Sequence, residues 1–194
     1  MNWDERYKDG DTPWDKGAPA PSLIEVMERG CFPAGAEVLV PGCGLGHDVG
    51  VLAEAGYLTT GFDISAHAIQ GAQNLTQHRG ASFLVGDLFD PSFQTEKQYD
   101  GIWEHTCYCA ILPGQREDYA QAVSRLLKPG GVLMGVFFNT ENDREGPPFM
   151  TNRQELHRVF SKHFTLEWEC APREFFPTRE GIEWLMCWRN GMGG

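Results

Sequence analysis

The stretch AEVLVPGCGLGHDVGVLAEAG, Ala36 to Gly56, joins a short apolar run to a glycine-rich turn and then to a helical pattern closed by Gly56. A buried strand is expected over Ala36–Gly42 and a helix over DVGVLAEAG, because a short apolar run bounded by glycine suits the inside of a sheet. The same alternation repeats downstream. YLTTGFD, ending at Asp63, reads as a second strand, and SAHAIQGAQNLTQH as a second helix with Ser65 as its N-cap. ASFLVGD and QYDGIWEH give the third and fourth strands. Tyr119, Ala122, Val123, Leu126 and Leu127 share one face of a helix that starts near Gln115 and stops at KPGG. VLMGVFF, Val132 to Phe138, reads as a fully buried fifth strand. Thr151 and Gln154 form a capping-box pattern opening the helix RQELHRVFSK. FTLEWEC and IEWLMCWR alternate as two final strands. Strands alternating with helices predict an α/β fold with a parallel sheet covered by helices.

Bulk properties narrow the function. A chain of 194 residues with 41% apolar content is expected to form one domain, residues 1–194, with an arm and short helix over 1–35 laid on a core over 36–194. A net charge of −11 disfavours tracking a phosphate backbone, which relies on Lys and Arg, so a small-molecule partner is expected rather than nucleic acid. There is no apolar run of roughly 18 residues to span a membrane, and the N-terminus is too acidic and polar for a signal peptide. A cytoplasmic location is expected. The six cysteines include no CxxC pair and are read as reduced. Cys107 and Cys109 with His105 make a poor zinc motif, so no metal is expected.

Chemistry concentrates at three successive strand ends. Gly42, Gly44 and Gly46 let the backbone turn sharply and approach a ligand closely, and the helix beyond offers free N–H donors. The third glycine comes one residue too early for G-x-G-x-x-G, so a dinucleotide pyrophosphate is not the natural fit. Asp63 ends the second strand, where an acid can hold both hydroxyls of a ribose. Asp87, in VGDLF, is placed to flank an adenine ring. All three strand ends face the carboxyl edge of the sheet, where open α/β folds bind ligands.

VLVPGCGLGHDV, GFDIS, GDLF, WEHTCYCAILP, LLKPGG, the early WDERYKDGDTPWDKGAP, and GPPF and PTREGIEWL near the end occur in an order that spans nearly the whole chain. Together they resemble the thiopurine S-methyltransferase-like class I methyltransferases, and within them the thiol and halide methyltransferases. The resemblance implies a Rossmann-like doubly wound sheet of seven mainly parallel strands, with helices on both faces, the last strand antiparallel, and the N-terminal arm as a lid. It implies S-adenosylmethionine as methyl donor and a small thiol, or a halide or hydrosulfide, as acceptor. By position, Trp3, Tyr7 and Trp14 close over the donor. Gly42 and Gly44 lie by its methionine part, Asp63 and Ile64 by the ribose, Asp87 and Leu88 by the adenine, and His105 borders the same site.

A sulfonium cation is attracted to an aromatic face by roughly 0.5 to 2 kcal/mol, which suits an arm bearing Trp14. A thiol with a pKa of about 8.5 is mostly protonated at neutral pH, so a proton acceptor is one expectation for His105 or His47; deprotonation in solution is the other. The bland reading of His47 is a hydrogen bond that steadies the loop. Trp14, Cys107, Tyr108 and the loop carrying Arg144 and Phe149 are expected to shape the acceptor pocket. Arg173 and Arg179 either attract an anionic acceptor or pair with acids such as Glu174 and Glu180. Two other classes share parts of this pattern: a nicotinamide-dependent oxidoreductase and a donor-binding module without catalysis.

Overall fold

The computed structural model describes residues 1–90, 98–139 and 146–191. Its strands are β1 (Glu37–Pro41), β2 (Leu58–Asp63), β3 (Ala81–Val85), β4 (Tyr99–His105), β5 (Leu127–Phe138), β6 (Phe164–Cys170) and β7 (Glu183–Asn190). The helices are α1 (Trp3–Asp9), α2 (Pro21–Glu28), α3 (His47–Glu54), α4 (Ala66–Leu75), α5 (Arg116–Leu126) and α6 (Arg153–Phe160). The strands form one sheet in the order β3-β2-β1-β4-β5-β7-β6. β1 to β5 pair in parallel, and β7 runs antiparallel to both β5 and β6. The expected doubly wound sheet with its last strand reversed is therefore observed. The chain leaves β1 toward β2 and β3, then returns to β4 on the other side of β1, which opens the crevice for a ligand at the carboxyl ends of β1 and β4.

Side-chain alternation explains why both faces of the sheet are covered. Along β1, Val38 and Val40 point into one buried cluster while Leu39 points into the other. β4 repeats this with Trp103 against Ile102, and β5 with Met134 against Leu133. The Val38 side holds α2 and α3 residues such as Leu23 and Leu52; the Leu39 side holds Tyr119 and Val123 of α5 and Leu156 of α6. Each of these side chains is fully buried, a contribution of about 1.5–3 kcal/mol apiece relative to exposure.

Two local expectations are corrected, and one helix is added. The cap of α6 is Asn152, whose Oδ1 accepts the Glu155 N–H at 2.9 Å, one residue beyond the expected Thr151–Gln154 pair. Thr151 instead donates its hydroxyl to the Glu155 carboxylate at 2.7 Å, which holds the side chain that would have completed the box. β5 begins at Leu127 rather than Val132, because Leu127 already pairs with Tyr99 before the register shifts between Tyr99 and Gly101. The arm carries a helix of its own, α1, which the proline and aromatic spacing did not reveal. Asn2 caps it by accepting the Glu5 N–H, and Gly10 ends it in a left-handed conformation, φ 70°.

Candidate functional site

A cavity of about 830 Å³ opens at the carboxyl edge of the sheet, within the size range of small-molecule sites. Its floor is the turn after β1. Gly42 and Gly44 have φ of 59° and 54°, a conformation that side chains rarely adopt. A methyl group on Gly42 would lie 2.8 Å from Cβ of Cys107, so the turns after β1 and β4 touch through the missing side chain. The Asp63 carboxylate accepts the Gly44 N–H at 3.0 Å and the Ser65 N–H at 2.9 Å. Burial pushes its pKa up while these donors oppose the rise. One acid at the end of β2 thereby fixes both the glycine turn and the start of α4, and it lines the cavity.

The arm closes this cavity from the outside. Trp3, Tyr7 and Trp14 all line it. The Trp14 indole donates to the Tyr7 hydroxyl at 3.0 Å and meets Trp3 edge to face at 5.3 Å. Arg6 sits over one face of Trp14, 4.3 Å from the ring centroid, so a cation already occupies that face. Asp4 anchors α1 on the start of α4 by accepting from the Ser65 hydroxyl at 2.8 Å and the His67 N–H at 3.0 Å. His47 lies at the first turn of α3 with Nε2 3.2 Å from the Asp15 carboxylate, an arm contact rather than a site contact.

Among the sequence-predicted donor residues, Gly42, Asp63, Ile64, Asp87 and Leu88 line the cavity with the three arm aromatics. Gly44 lies beneath Tyr7, whose hydroxyl would stand 2.6 Å from a Cβ at that position. Asp87 accepts the Phe89 N–H at 2.9 Å and so shapes the turn after β3. A methyl donor bearing a ribose and an adenine fits this arrangement: a buried carboxylate in the cavity wall, a glycine cradle that a Cβ would fill, and an aromatic cover.

The residues expected on the acceptor side divide. Cys107 and Phe149 line the cavity, as does Trp14. Tyr108 does not. It is 1% exposed and packs against Tyr119, Phe137 and Phe160, so the reading of Tyr108 as acceptor lining is corrected to core packing. The cause is the turn after β4: Glu104 accepts the backbone N–H groups of Cys107 and Tyr108 at 3.0 and 2.9 Å, curling the chain so that Cys107 faces the cavity and Tyr108 the core. Thr106, at the bend, has φ 65°, which is costly for a β-branched residue. The Tyr119 hydroxyl donates to the other oxygen of Glu104. Burial raises the Glu104 pKa against these donors. Burial also pushes the Cys107 thiol well above its usual range, which keeps it protonated beside the cavity. Arg144 lies outside the described residues.

His105 is absent from the cavity wall. Alternation along β4 turns it to the same face as Trp103, where its Nδ1 lies 3.0 Å from Asp48 Oδ2 and its Nε2 3.1 Å from Arg179 NH1. A guanidinium only donates, so Nε2 accepts and Nδ1 carries the hydrogen toward Asp48. Asp48 also accepts the Trp103 indole N–H at 2.8 Å and the Ala20 N–H at 2.7 Å. Burial alone would raise the pKa of Asp48, but His105 and these donors together hold it below the usual carboxylate value. Both ring nitrogens of His105 are committed, so its reading as a donor-bordering residue and proton acceptor is corrected to a wall-supporting one.

Arg179 lines the cavity instead, only 7% exposed, and its NH1 also donates to Glu183 at 2.9 Å. The sequence offered Glu180 as its partner; the structure selects Glu183, four residues on, at the start of β7. Arg173 is exposed and pairs with Glu28 at 2.7 Å, away from the cavity lining. Phe138, Ile182 and Thr106, none singled out in the sequence, complete the wall near Arg179. Among the described residues no cluster of three or more His, Cys, Asp or Glu side chains converges to hold a metal, and no helix is long and apolar enough to cross a membrane. All six cysteines are free.

Residues 1–180 match the family model described as Thiopurine S-methyltransferase (TPMT). A probable thiol methyltransferase 2 of Arabidopsis thaliana is 35% identical over 161 residues, covering 81% of this chain and 70% of that protein. Thiocyanate methyltransferase 1 of the same plant is 30% identical over 196 residues, covering 97% of this chain and 84% of that protein. Among solved structures, one titled for the conversion of a disulfide bond into a thioacetal group during echinomycin biosynthesis superposes with a TM-score of 0.79 at 25% identity, covering 99% of this chain and 92% of that one. These matches agree with a glycine turn, a strand-end acid and an aromatic arm arranged around one cavity, and the chain belongs to the thiopurine S-methyltransferase family, as an S-methyltransferase with S-adenosylmethionine as its methyl donor.

Proposed function

We propose that the protein methylates a small soft nucleophile, foremost a thiol taken as its thiolate, with thiocyanate, halide or hydrosulfide as related anionic acceptors. The observation that carries this reading is Arg179, 7% exposed in the cavity wall beside Phe138 and Ile182, with NH1 engaged by His105 and Glu183 and its other donors left over. A cation in apolar surroundings attracts a weakly hydrated anion more strongly than water-exposed charge does. The likeness to relatives named thiol and thiocyanate methyltransferases supports the same acceptor class.

The donor supplies a methyl group on a sulfonium centre, and its transfer is an in-line displacement that needs no protein nucleophile. The chain's own part is placement and exclusion of water, worth on the order of 7 to 11 kcal/mol when reactants are held at near-attack distance. Asp63 takes the ribose hydroxyls, Asp87 and Leu88 flank the adenine, and Gly42 lets the methionine part approach the backbone. Trp3, Tyr7 and Trp14 form the lid, with residues 1–35 acting as a cover over the 36–194 core. Trp14 and Phe149 close on the acceptor. The raised thiol pKa of Cys107 keeps this nearby sulfur from competing for the methyl group. Acceptor deprotonation takes place in solution, since both nitrogens of His105 are engaged. A cytoplasmic setting belongs to the same proposal, supported by six unpaired cysteines.

The test is incubation of the purified protein with methyl-labelled donor and a panel of aliphatic thiols, aromatic thiols, hydrosulfide, thiocyanate and iodide, ranked by kcat/KM. Methylated sulfur or halide products support the reading. Failure to methylate any of them, with the donor shown to bind by calorimetry, sinks it in favour of a binding module.

A further inference from the structure

Arg179 is held by a buried chain of charges that begins outside the cavity. Asp48 of α3, His105 of β4, Arg179 of the turn Pro177–Arg179 and Glu183 of β7 are joined at 3.0, 3.1 and 2.9 Å. All are nearly buried: Asp48, Arg179 and Glu183 are each 7% exposed and the His105 side chain 15%. NH1 of Arg179 gives its two hydrogens to His105 and Glu183, and no hydrogen bond from its Nε or NH2 to another described residue accompanies them. Phe176 stacks on the His105 ring from the far side, centroids 6.3 Å apart. Holding one end of a guanidinium from two directions aims the planar fork and leaves its other donors for a ligand.

We propose that His105 is a positioning residue for the acceptor, fixing the Arg179 guanidinium through its Nε2 lone pair while Asp48 fixes the ring. This rests on the reading of Arg179 as the acceptor's cation. It assigns to Asp48 the role of choosing the Nδ1–H tautomer, since only that tautomer leaves Nε2 able to accept from an arginine. The groups facing the ring are Asp48 from α3, Arg179 beside it and Glu183 behind Arg179, with Glu104 adjoining on its own strand.

The experiment compares His105→Gln, which keeps an acceptor oxygen near the Nε2 position, with His105→Phe, which keeps ring volume and stacking but no acceptor. For anionic acceptors, thiocyanate and iodide, KM is expected to rise at least tenfold in H105F and less than threefold in H105Q, with the dissociation constant for S-adenosylhomocysteine within twofold of wild type in both. Direct titration of thiocyanate binding reports the same ranking without turnover. If no soft anion is methylated but H105F alone loses thiocyanate binding, the positioning role stands and the functional reading falls. Unchanged acceptor affinity in both variants, or a loss confined to kcat in H105Q and H105F alike, overturns the proposal. Should H105F fail to fold, ¹⁵N spectroscopy of the wild-type ring still decides it: a protonated Nε2 at neutral pH is incompatible with acceptance from Arg179.

Discussion

The Tyr7 hydroxyl fills the place where a side chain on Gly44 would begin, 2.6 Å from the position of that absent Cβ. The arm is thus seated in the glycine turn itself, and Trp14 locks it by donating to the same hydroxyl at 3.0 Å. Gly44→Ala is expected to expel Tyr7 and to strain a backbone at φ 54°. Such strain amounts to about 1–3 kcal/mol, so binding of S-adenosylhomocysteine should weaken by about fivefold to hundredfold. Calorimetry measures this, and faster proteolysis between residues 10 and 18 would report the loosened arm. Unaltered affinity with an intact arm would contradict the seating.

Asp63→Asn replaces one oxygen that accepts a backbone N–H by a group that donates. Hydrogen bonds to a charged acceptor contribute about 1.5–3 kcal/mol each, so donor affinity is expected to fall by roughly 10- to 100-fold. Asp87 and Leu88 of the cavity wall are untouched, so adenosine and S-adenosylhomocysteine should lose affinity in parallel.

Tyr119→Phe strips a donor from the buried carboxylate of Glu104, which shapes the turn that separates Cys107 from Tyr108. An unsatisfied buried group costs about 1–3 kcal/mol. Urea unfolding should show that loss with an unchanged slope.

Arg179→Lys retains charge but not the planar fork, whose NH1 engages His105 and Glu183 while its other donors stay open to a ligand. The KM for thiocyanate is expected to rise about tenfold or more, on the scale of one charge-assisted hydrogen bond, while donor affinity is preserved. Steady-state kinetics with each reactant varied separates the two.

Asp4 holds the arm to α4, and the His67 N–H with the Ser65 hydroxyl lowers its pKa from 3.8 to about 2. A folded-state pKa below the unfolded one contributes stability that is fully present above about pH 4 and is lost as pH falls toward 2. Arm protection in hydrogen exchange should therefore be flat from neutral pH down to about 4 and weaken below it. In Asp4→Asn it should be weak throughout.

Much of this architecture was legible along the chain because its signals are local. Strand runs such as Val38–Val40 are apolar on both sides since both faces of the sheet are covered, and Ser65 capped α4 as its position beside Ala66 implied. The glycine turn and Asp63 were legible for the same reason: a positive φ and a strand end are properties of a few consecutive residues. Cap choice at α6 was less so, because Thr151, Asn152, Gln154 and Glu155 all have capping chemistry and the decision came from Arg116, which donates to Glu155 at 2.7 Å from another helix.

The amino-acid order by itself determined the alternating fold, the glycine and acidic strand ends that line the cavity, the aromatic arm and the family. Tertiary structure decided which way the residues after β4 face. GIWEHTCYCAILP contains His105, Cys107 and Tyr108 within four positions, yet one supports Arg179, one lines the cavity and one fills the core. Their directions depend on partners distant in sequence: Asp48 and Arg179 draw His105 behind the wall, and Glu104 with Tyr119 curls the turn that parts Cys107 from Tyr108. Side-chain direction at a strand end follows from whichever buried polar groups must be satisfied there, and those partners come together only when the sheet has closed its crossovers.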